Sequence, residues 1–335
     1  MIVTAITEMF GIRHPIIQAG MNVAAGPELA AAVTNAGGLG VIGGVRATPR
    51  ILELQIRTLK ENLSDPSAPF GVDLLFPQIG GDARKTNYDY TKGQTSQLID
   101  GSRFVCAVGV PPKEVVSRLH EANIPIMNHV PKALAAGVDL ICAQGGEGGG
   151  HTGEIPFSIL IPACLDAIKG ARSPLTGKPV HLVAAGGIYD GRGLAAALAY
   201  GAQAVWVGTR FVACVEAGAP KLHKDLVLKS GYEDNVRTSA YTGRPMRVFK
   251  TAYIADWENN RQEEAKSLMS QGIIPVDQDV EIHPGNSMAA RRWLMGRASA
   301  VVNDIKTARE IVDDMMSEAE TRIKLSGELI VPSRL

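Results

Sequence analysis

Aromatic side chains are scarce in this 335-residue chain, only 5% of it. Proteins that bind single-stranded nucleic acid by stacking need such rings, so the composition argues against that class. A surplus of charge is also missing: 34 Lys and Arg balance 34 Asp and Glu. That balance leaves no electrostatic footprint for nucleic acid or an anionic membrane. Cysteine is sparse, and Cys106, Cys142, Cys164 and Cys214 stand singly with no CxxC pair, which argues against a zinc ribbon or a thioredoxin-like site. Three of the four lie in apolar runs, as inert buried thiols do, and a reducing compartment is expected. No apolar run approaches the roughly 18 residues of a membrane span. Met1-Ile2-Val3-Thr4 has no basic region leading into an apolar one, so a cytoplasmic location is expected. The terminal Ser333-Arg334-Leu335 is a conservative variant of a peroxisomal address, an alternative location in a eukaryotic source.

Glycine and small aliphatic residues fill the space that aromatics leave: 36 residues are Gly, and 45% of the chain is hydrophobic against 20% charged. This is globular composition, long enough for one large core or two domains. Short, non-alternating Val/Ile/Leu runs predict strands at 15–19, 39–43, 70–75, 104–109, 124–128, 138–144, 181–186 and 204–209, each buried on both faces. Helices are predicted between them. One opens at Pro27 and stops at Gly37-Gly38. Another runs from Thr48-Pro49 to about 63 with Thr48 as N-cap, and others start at Pro112, Ile159 and Gly193. Eight βα units over about 210 residues fit a (β/α)8 TIM barrel, with a doubly wound open sheet as the alternative. Two units look thin: 95–100 is the helical candidate after strand three, and 131–136 the one after strand five.

The pattern changes near residue 214. Residues 1–214 form the expected barrel, 215–300 a second, smaller helical domain or lid, and 301–335 a C-terminal helix packing back on the barrel. Helices are predicted at 217–229, 259–269 and 288–299. The last helix, 305–325, carries apolar residues at Ile305, Ala308, Ile311, Val312 and Met315.

Barrel function sits at the C-terminal strand ends. Gly186-Gly187 follow strand seven, and Gly208-Thr209 follow strand eight. Glycine lets backbone N–H groups approach an anion, and these two loops form the usual phosphate site of the fold. A lone phosphate pocket points to a mononucleotide cofactor or a phosphorylated substrate; the alternative is that the glycines only make tight turns. After strand six, Gln144-Gly145-Gly146-Glu147-Gly148-Gly149-Gly150-His151 sets one imidazole in a Gly-rich frame at the mouth. His exchanges protons near neutral pH and is the candidate catalytic group. Glu147 either orients His151, caps a loop N–H or is solvated. Gln18, Met21 and Asn22 end strand one. Asp73, inside an apolar strand, needs a hydrogen-bond partner: either a ring N–H or hydroxyl of a ligand, or internal loop backbone. His129 follows strand five at the same mouth, and Lys85, Tyr88 and Tyr90 lie on the long loop after strand three. No His has companion ligands for a metal.

These segments resemble the nitronate monooxygenase (2-nitropropane dioxygenase) family. The similarity is carried by His14-Pro15-Ile16-Ile17-Gln18-Ala19-Gly20-Met21, Asn35-Ala36-Gly37-Gly38-Leu39-Gly40, 144–153, 185–193 and 208–211. The resemblance implies an FMN-bound TIM barrel under a small helical domain. It implies phosphate contacts at Gly186, Gly187, Gly208 and Thr209, flavin contacts at Met21, Asn22, Asp73, Gln144 and Gly149, and a base or substrate-binding role for His151. It implies oxidation of an alkyl nitronate by O2 to a carbonyl compound and nitrite, with no nucleic acid or membrane partner and a monomeric or homodimeric state. An NAD(P)H-dependent quinone or enoyl reductase on the same barrel is the alternative. Asp73 departs from the family pattern, where many relatives carry Asn.

Overall fold

The computed structural model describes residues 1–44, 47–75, 102–129 and 131–330. The helical candidate 95–100, Lys85, Tyr88, Tyr90 and the terminal Ser333-Arg334-Leu335 lie outside these residues. All eight predicted strands are present: β1 (Ile16–Gln18), β2 (Val41–Gly43), β3 (Gly71–Leu75), β4 (Phe104–Val108), β5 (Ile126–Asn128), β6 (Leu140–Gln144), β8 (His181–Ala185) and β9 (Ala204–Val207). They pair in parallel in the order β1-β9-β8-β6-β5-β4-β3-β2. A parallel bridge between Ile17 and Leu39 brings the two ends of that order together, so the sheet curls into a nearly closed (β/α)8 barrel. Gln18 seals the seam: its Oε1 accepts from the Val41 N–H at 3.1 Å and its amide donates to the Ala19 carbonyl.

Alternation along the strands sorts two cores. Inward residues Ile17, Phe104, Cys106, Met127, Leu140, Cys142, Val183 and Trp206 fill the lumen. Helix Ala5–Phe10, held by a Thr4–Thr7 capping box, plugs its lower end with Ile6 and Phe10. Outward residues such as Val72, Leu74, Val105 and Ala107 pack with Leu29, Val33, Leu52, Ile56 and Leu59 from the helices Pro27–Asn35 and Pro49–Asn62. The unit after β5 is thin, as its sequence suggests: one 3-10 helix, Pro131–Ala136, connects to β6. A buried polar knot below it compensates. Asp139, fully buried, accepts from the Ile126 N–H at 2.8 Å and the Ser173 hydroxyl at 2.6 Å, and lies 2.9 Å from His120 Nε2.

Beyond the barrel, helices Ala252–Asn259, Gln262–Ser270 and Pro275–Ile282 surround Trp257, Ile254, Met246, Val248 and Val276, while Val227 of helix Lys221–Lys229 joins the outer core of the barrel. This unit also holds strands β10 (Asn235–Thr238) and β11 (Met246–Phe249), which the sequence pattern alone did not suggest. They pair antiparallel, and β11 pairs in turn with β7 (Gly150–His151) from the barrel's own Gly-rich loop. The helix expected at 288–299 is absent. Leu294 instead bridges Val248, the Phe249 N–H donates to the Trp293 carbonyl, and a 3-10 helix starts only at Arg297. The backbone here is spent on the sheet edge, so the helical spacing of its apolar residues is overridden. The final helix, Ala308–Glu328, lays Ile311, Val312, Met315 and Met316 into the same core as Leu194 and Ala197 of helix Gly191–Tyr200. Ile305 stays outside it.

Candidate active site

The loops after β8 and β9 are neighbours because those strands pair directly. Gly186 and Gly187 take positive φ of 89° and 74°, which favours glycine. A Cβ on Gly186 would also lie 2.7 Å from the Gly145 carbonyl oxygen, so this loop packs tightly on the one after β6. At Gly208 packing makes no such demand, since a Cβ would stand 3.7 Å from Ala19 Cβ and Met21 Sδ. The N–H groups of Gly186, Gly187, Gly208 and Thr209 donate to no other group among the described residues. Four unused amides on two adjacent strand ends fit a phosphate monoester, as in other barrels of this architecture. The Thr209 hydroxyl accepts from the Gly296 N–H at 2.9 Å, which leaves its O–H free to donate.

The Gly-rich loop is clamped between the barrel and the small unit. A Cβ on Gly149 would meet the Met295 carbonyl carbon at 2.6 Å, and the Arg297 N–H donates to the Glu147 carbonyl at 2.8 Å. Close packing therefore already explains glycine at 149. Gln144 Nε2 donates to the His151 carbonyl at 2.9 Å and reaches the Gly149 carbonyl at 3.4 Å, so this side chain shapes the loop from below. The Glu147 carboxylate accepts from the Phe157 N–H at 3.1 Å. It caps helix Phe157–Ile168, whose N-cap position is a proline with no side chain to do so. Of the three roles open to Glu147, capping is the one its contacts show. Arg247, missed at the sequence level, lies buried under the same loop and donates to the Gly146 carbonyl at 2.9 Å. An apolar strand context hides such a residue, and only the pairing of β11 with β7 places it.

His151 pairs with Met246 across β7 and β11, which puts its imidazole at the rim of the small unit. Nε2 lies 3.0 Å from the Thr242 hydroxyl, and that hydroxyl donates to the Arg244 carbonyl at 3.1 Å. With the hydroxyl assigned as donor to that carbonyl, it accepts from the ring, an assignment that puts the proton on Nε2 and the lone pair on Nδ1. Burial and the charges of Arg244 and Arg292 hold the ring below its ordinary 6.5. The imidazole is therefore neutral at neutral pH and sits in a cationic surrounding.

On the opposite side of the mouth, Met21 packs against both cores while the Asn22 side chain is exposed. Val23 beside it has φ 63°, a strained value for a β-branched residue, of order 1–3 kcal/mol. The Gly218 N–H, donating to the Ala24 carbonyl at 3.1 Å, helps hold that loop. Asp73, midway along β3, is only 5% exposed, and its Oδ1 has no hydrogen-bond partner. Burial raises its carboxyl to about 7, with a hydrogen bond from Cys106 opposing. Of the two partners open to it, loop backbone supplies none for that oxygen. His129 Nε2 lies 3.5 Å from Cys106 Sγ, and loss of water pushes this ring down to about 4. Asn128 next to it is structural, donating to the Ala107 and Gly109 carbonyls at 2.7 Å each. Among the described residues no group of three or more His, Cys, Asp or Glu could hold a metal ion.

A profile of the nitronate monooxygenase family matches residues 3–318. The chain belongs to this family of oxidoreductases. It is 38% identical to a (3aS,4S,5R,7aS)-5-hydroxy-7a-methyl-1-oxo-octahydro-1H-indene-4-carboxyl-CoA dehydrogenase of Rhodococcus jostii, over 97% of this chain and 98% of that one. It is 31% identical to a probable nitronate monooxygenase of Staphylococcus saprophyticus, over 92% and 99%. The solved nitroalkane oxidase of Streptomyces ansochromogenes superposes with a TM-score of 0.77 at 25% identity, over 96% of this chain and all of that one. The described part of this family member has no helix long and apolar enough to cross a membrane.

Proposed function

We propose that this protein is an FMN-dependent oxidoreductase that converts alkyl nitronates and O2 to carbonyl compounds and nitrite. The observation that carries the reading is a neutral His151, its Nδ1 free, set between the charges of Arg244 and Arg292 beside a Gly-rich strand end. Cationic surroundings favour an anionic substrate, and a nitronate is a small anion. The amides of Gly186, Gly187, Gly208 and Thr209 would hold the FMN phosphate, with Met21, Asn22, Asp73, Gln144 and Gly149 around the remainder. When bound, FMN supplies the electron-accepting chemistry that no side chain here offers. His151 Nδ1 accepts a hydrogen bond or a proton from the substrate carbon acid, and Thr242 keeps the tautomer that leaves this atom free. Arg244 and Arg292 orient the charged end of the substrate.

A second reading has one observation in its favour: 38% identity with a dehydrogenase of a carboxyl-CoA thioester along nearly the whole chain. The same imidazole and cationic rim would then serve a CoA thioester, whose phosphates are also anionic. The absorbance of the purified protein between about 350 and 500 nm tests the cofactor. Nitrite release and O2 uptake with a nitronate, set against anaerobic bleaching by NADH or by a CoA thioester, separate the two readings. A colourless protein that gains no yellow on addition of FMN overturns both.

A further inference from the structure

The lumen face of the barrel carries a polar file to which the proposed reaction assigns no proton. Asp73 and Cys106 are direct partners across β3 and β4, and both are buried. Cys106 belongs to the lumen cluster, which places Asp73 on the lumen side as well. His129 stands at the end of β5, its Nε2 3.5 Å from Cys106 Sγ and its ring edge-on to Trp206 at 6.2 Å. His129, Cys106 and Asp73 thus form one chain of contacts, with the Cys106 thiol hydrogen-bonded to the Asp73 carboxyl. That leaves Oδ1 without a partner at the upper end of the file. Glycine at position 20 makes the room, since a Cβ there would lie 2.6 Å from Asp73 Oδ2.

Few charges compete for this carboxyl among the described residues. Cys106 faces it from β4 and Cys142 from β6, and burial raises both thiols so that they stay neutral. His129, from β5, is held neutral by burial. The strand-end residues Gly20, Gly43 and Gly44 of the β1 and β2 sides bring no charge at all. Among the described residues no cation faces Asp73, and a buried carboxylate without one is costly.

We propose that Asp73 is a proton-holding residue for the bound flavin, taking up one proton from solvent when the flavin is reduced and releasing it on reoxidation. The inference rests on the flavin reading above. Reduction by two electrons with one proton on the ring leaves a negative charge in the site. That charge favours the acid form of a nearby carboxyl, so Asp73 takes the second proton, and two electrons and two protons enter in all. On reoxidation both electrons leave to the acceptor and both protons return to solvent or product. Carboxyl ionisation near neutral pH suits this exchange.

The test is the midpoint potential of the holoprotein, measured by dye-coupled spectroelectrochemistry from about pH 7 to 9. The wild type should show twice the slope against pH that D73N shows, two protons per electron pair against one. Reduction-minus-oxidised infrared spectra should gain a protonated-carboxyl band in the wild type and lack it in D73N. D73S repeats both measurements without the amide. Equal slopes and an unchanged carboxyl region, with flavin bound, overturn the proposal and leave the flavin reading standing. A protein that binds no flavin overturns both.

Discussion

At the scale of single residues, the informative groups are those whose surroundings set their protonation. His151 is neutral because burial and two guanidinium groups disfavour its cation. Removing a positive neighbour makes the imidazolium less costly, so its pKa rises. The acid limb of kcat/KM in the wild type is therefore expected below pH 6.5, and R292Q should move that limb upward. A limb that stays in place separates Arg292 from the site. H151N should lower turnover of the substrate about 10²- to 10⁴-fold, the usual worth of a positioned acid or base, while FMN absorbance is retained. T242V removes the acceptor that fixes the tautomer. It should lower kcat less than H151N does, since both tautomers then remain accessible. Asp73 is the converse case, an acid whose neutral form is favoured. A folded pKa above the unfolded one gives stability that is complete below the unfolded value and lost as pH rises through the folded one. The gap in Tm between D73N and the wild type should accordingly widen from pH 5 to about 7 and then level off.

At the scale of elements, the Gly-rich loop behaves as a joint. It ends β6, lends two residues as β7 to the sheet of the small unit, and delivers Glu147 to the start of helix Phe157–Ile168. Glu147 has several roles open to it in the sequence, and only the proximity of residues 147 and 157 selects capping. Loss of a helix cap costs about 1 kcal/mol, so E147A should lower stability to urea by about that amount. It should leave the acid limb set by His151 unmoved. A shift of that limb instead would assign Glu147 an electrostatic role toward the imidazole. The strands of the barrel were legible because parallel strands are buried on both faces and read as apolar runs. β10 and β11 were not, since Asn235-Val236-Arg237-Thr238 carries one apolar residue and depends on its partner to be a strand. The segment 288–299 failed in the opposite sense: its spacing suits a helix, and an edge-strand contact outweighs that propensity.

For the whole molecule, closure decides stability. The seam between β1 and β2 relies on one bridge and on the Gln18 side chain, and the outer face of helix Gly191–Tyr200 relies on the last helix of the chain. A Cβ on Gly191 would reach the Ala319 nitrogen at 2.5 Å, so the two helices meet backbone to backbone there. The Glu318 carboxylate adds an acceptor for the Gly191 N–H at 3.0 Å. G191V should force them apart and cost about 1–3 kcal/mol, as overpacking does. Truncation before Thr307 removes Ile311, Val312, Met315 and Met316 together, bares Leu194 and Ala197 of the helix they cover, and should abolish cooperative unfolding, as followed by circular dichroism. A truncated chain that still unfolds in one sharp transition would show the helix to be dispensable.

Local residue pattern was enough to specify the strand–helix alternation, the glycines at the mouth and the single imidazole among them. Strand burial, turn conformation and residue chemistry are properties of neighbours in the chain. What waited for the three-dimensional arrangement was the partner of each polar group. Thr242 choosing the tautomer of His151, Arg247 under the Gly-rich loop and Asp73 stacked beside Cys106 join residues 33 to 101 positions apart in the sequence. Only the closed sheet and the small unit docked on its rim bring them within reach.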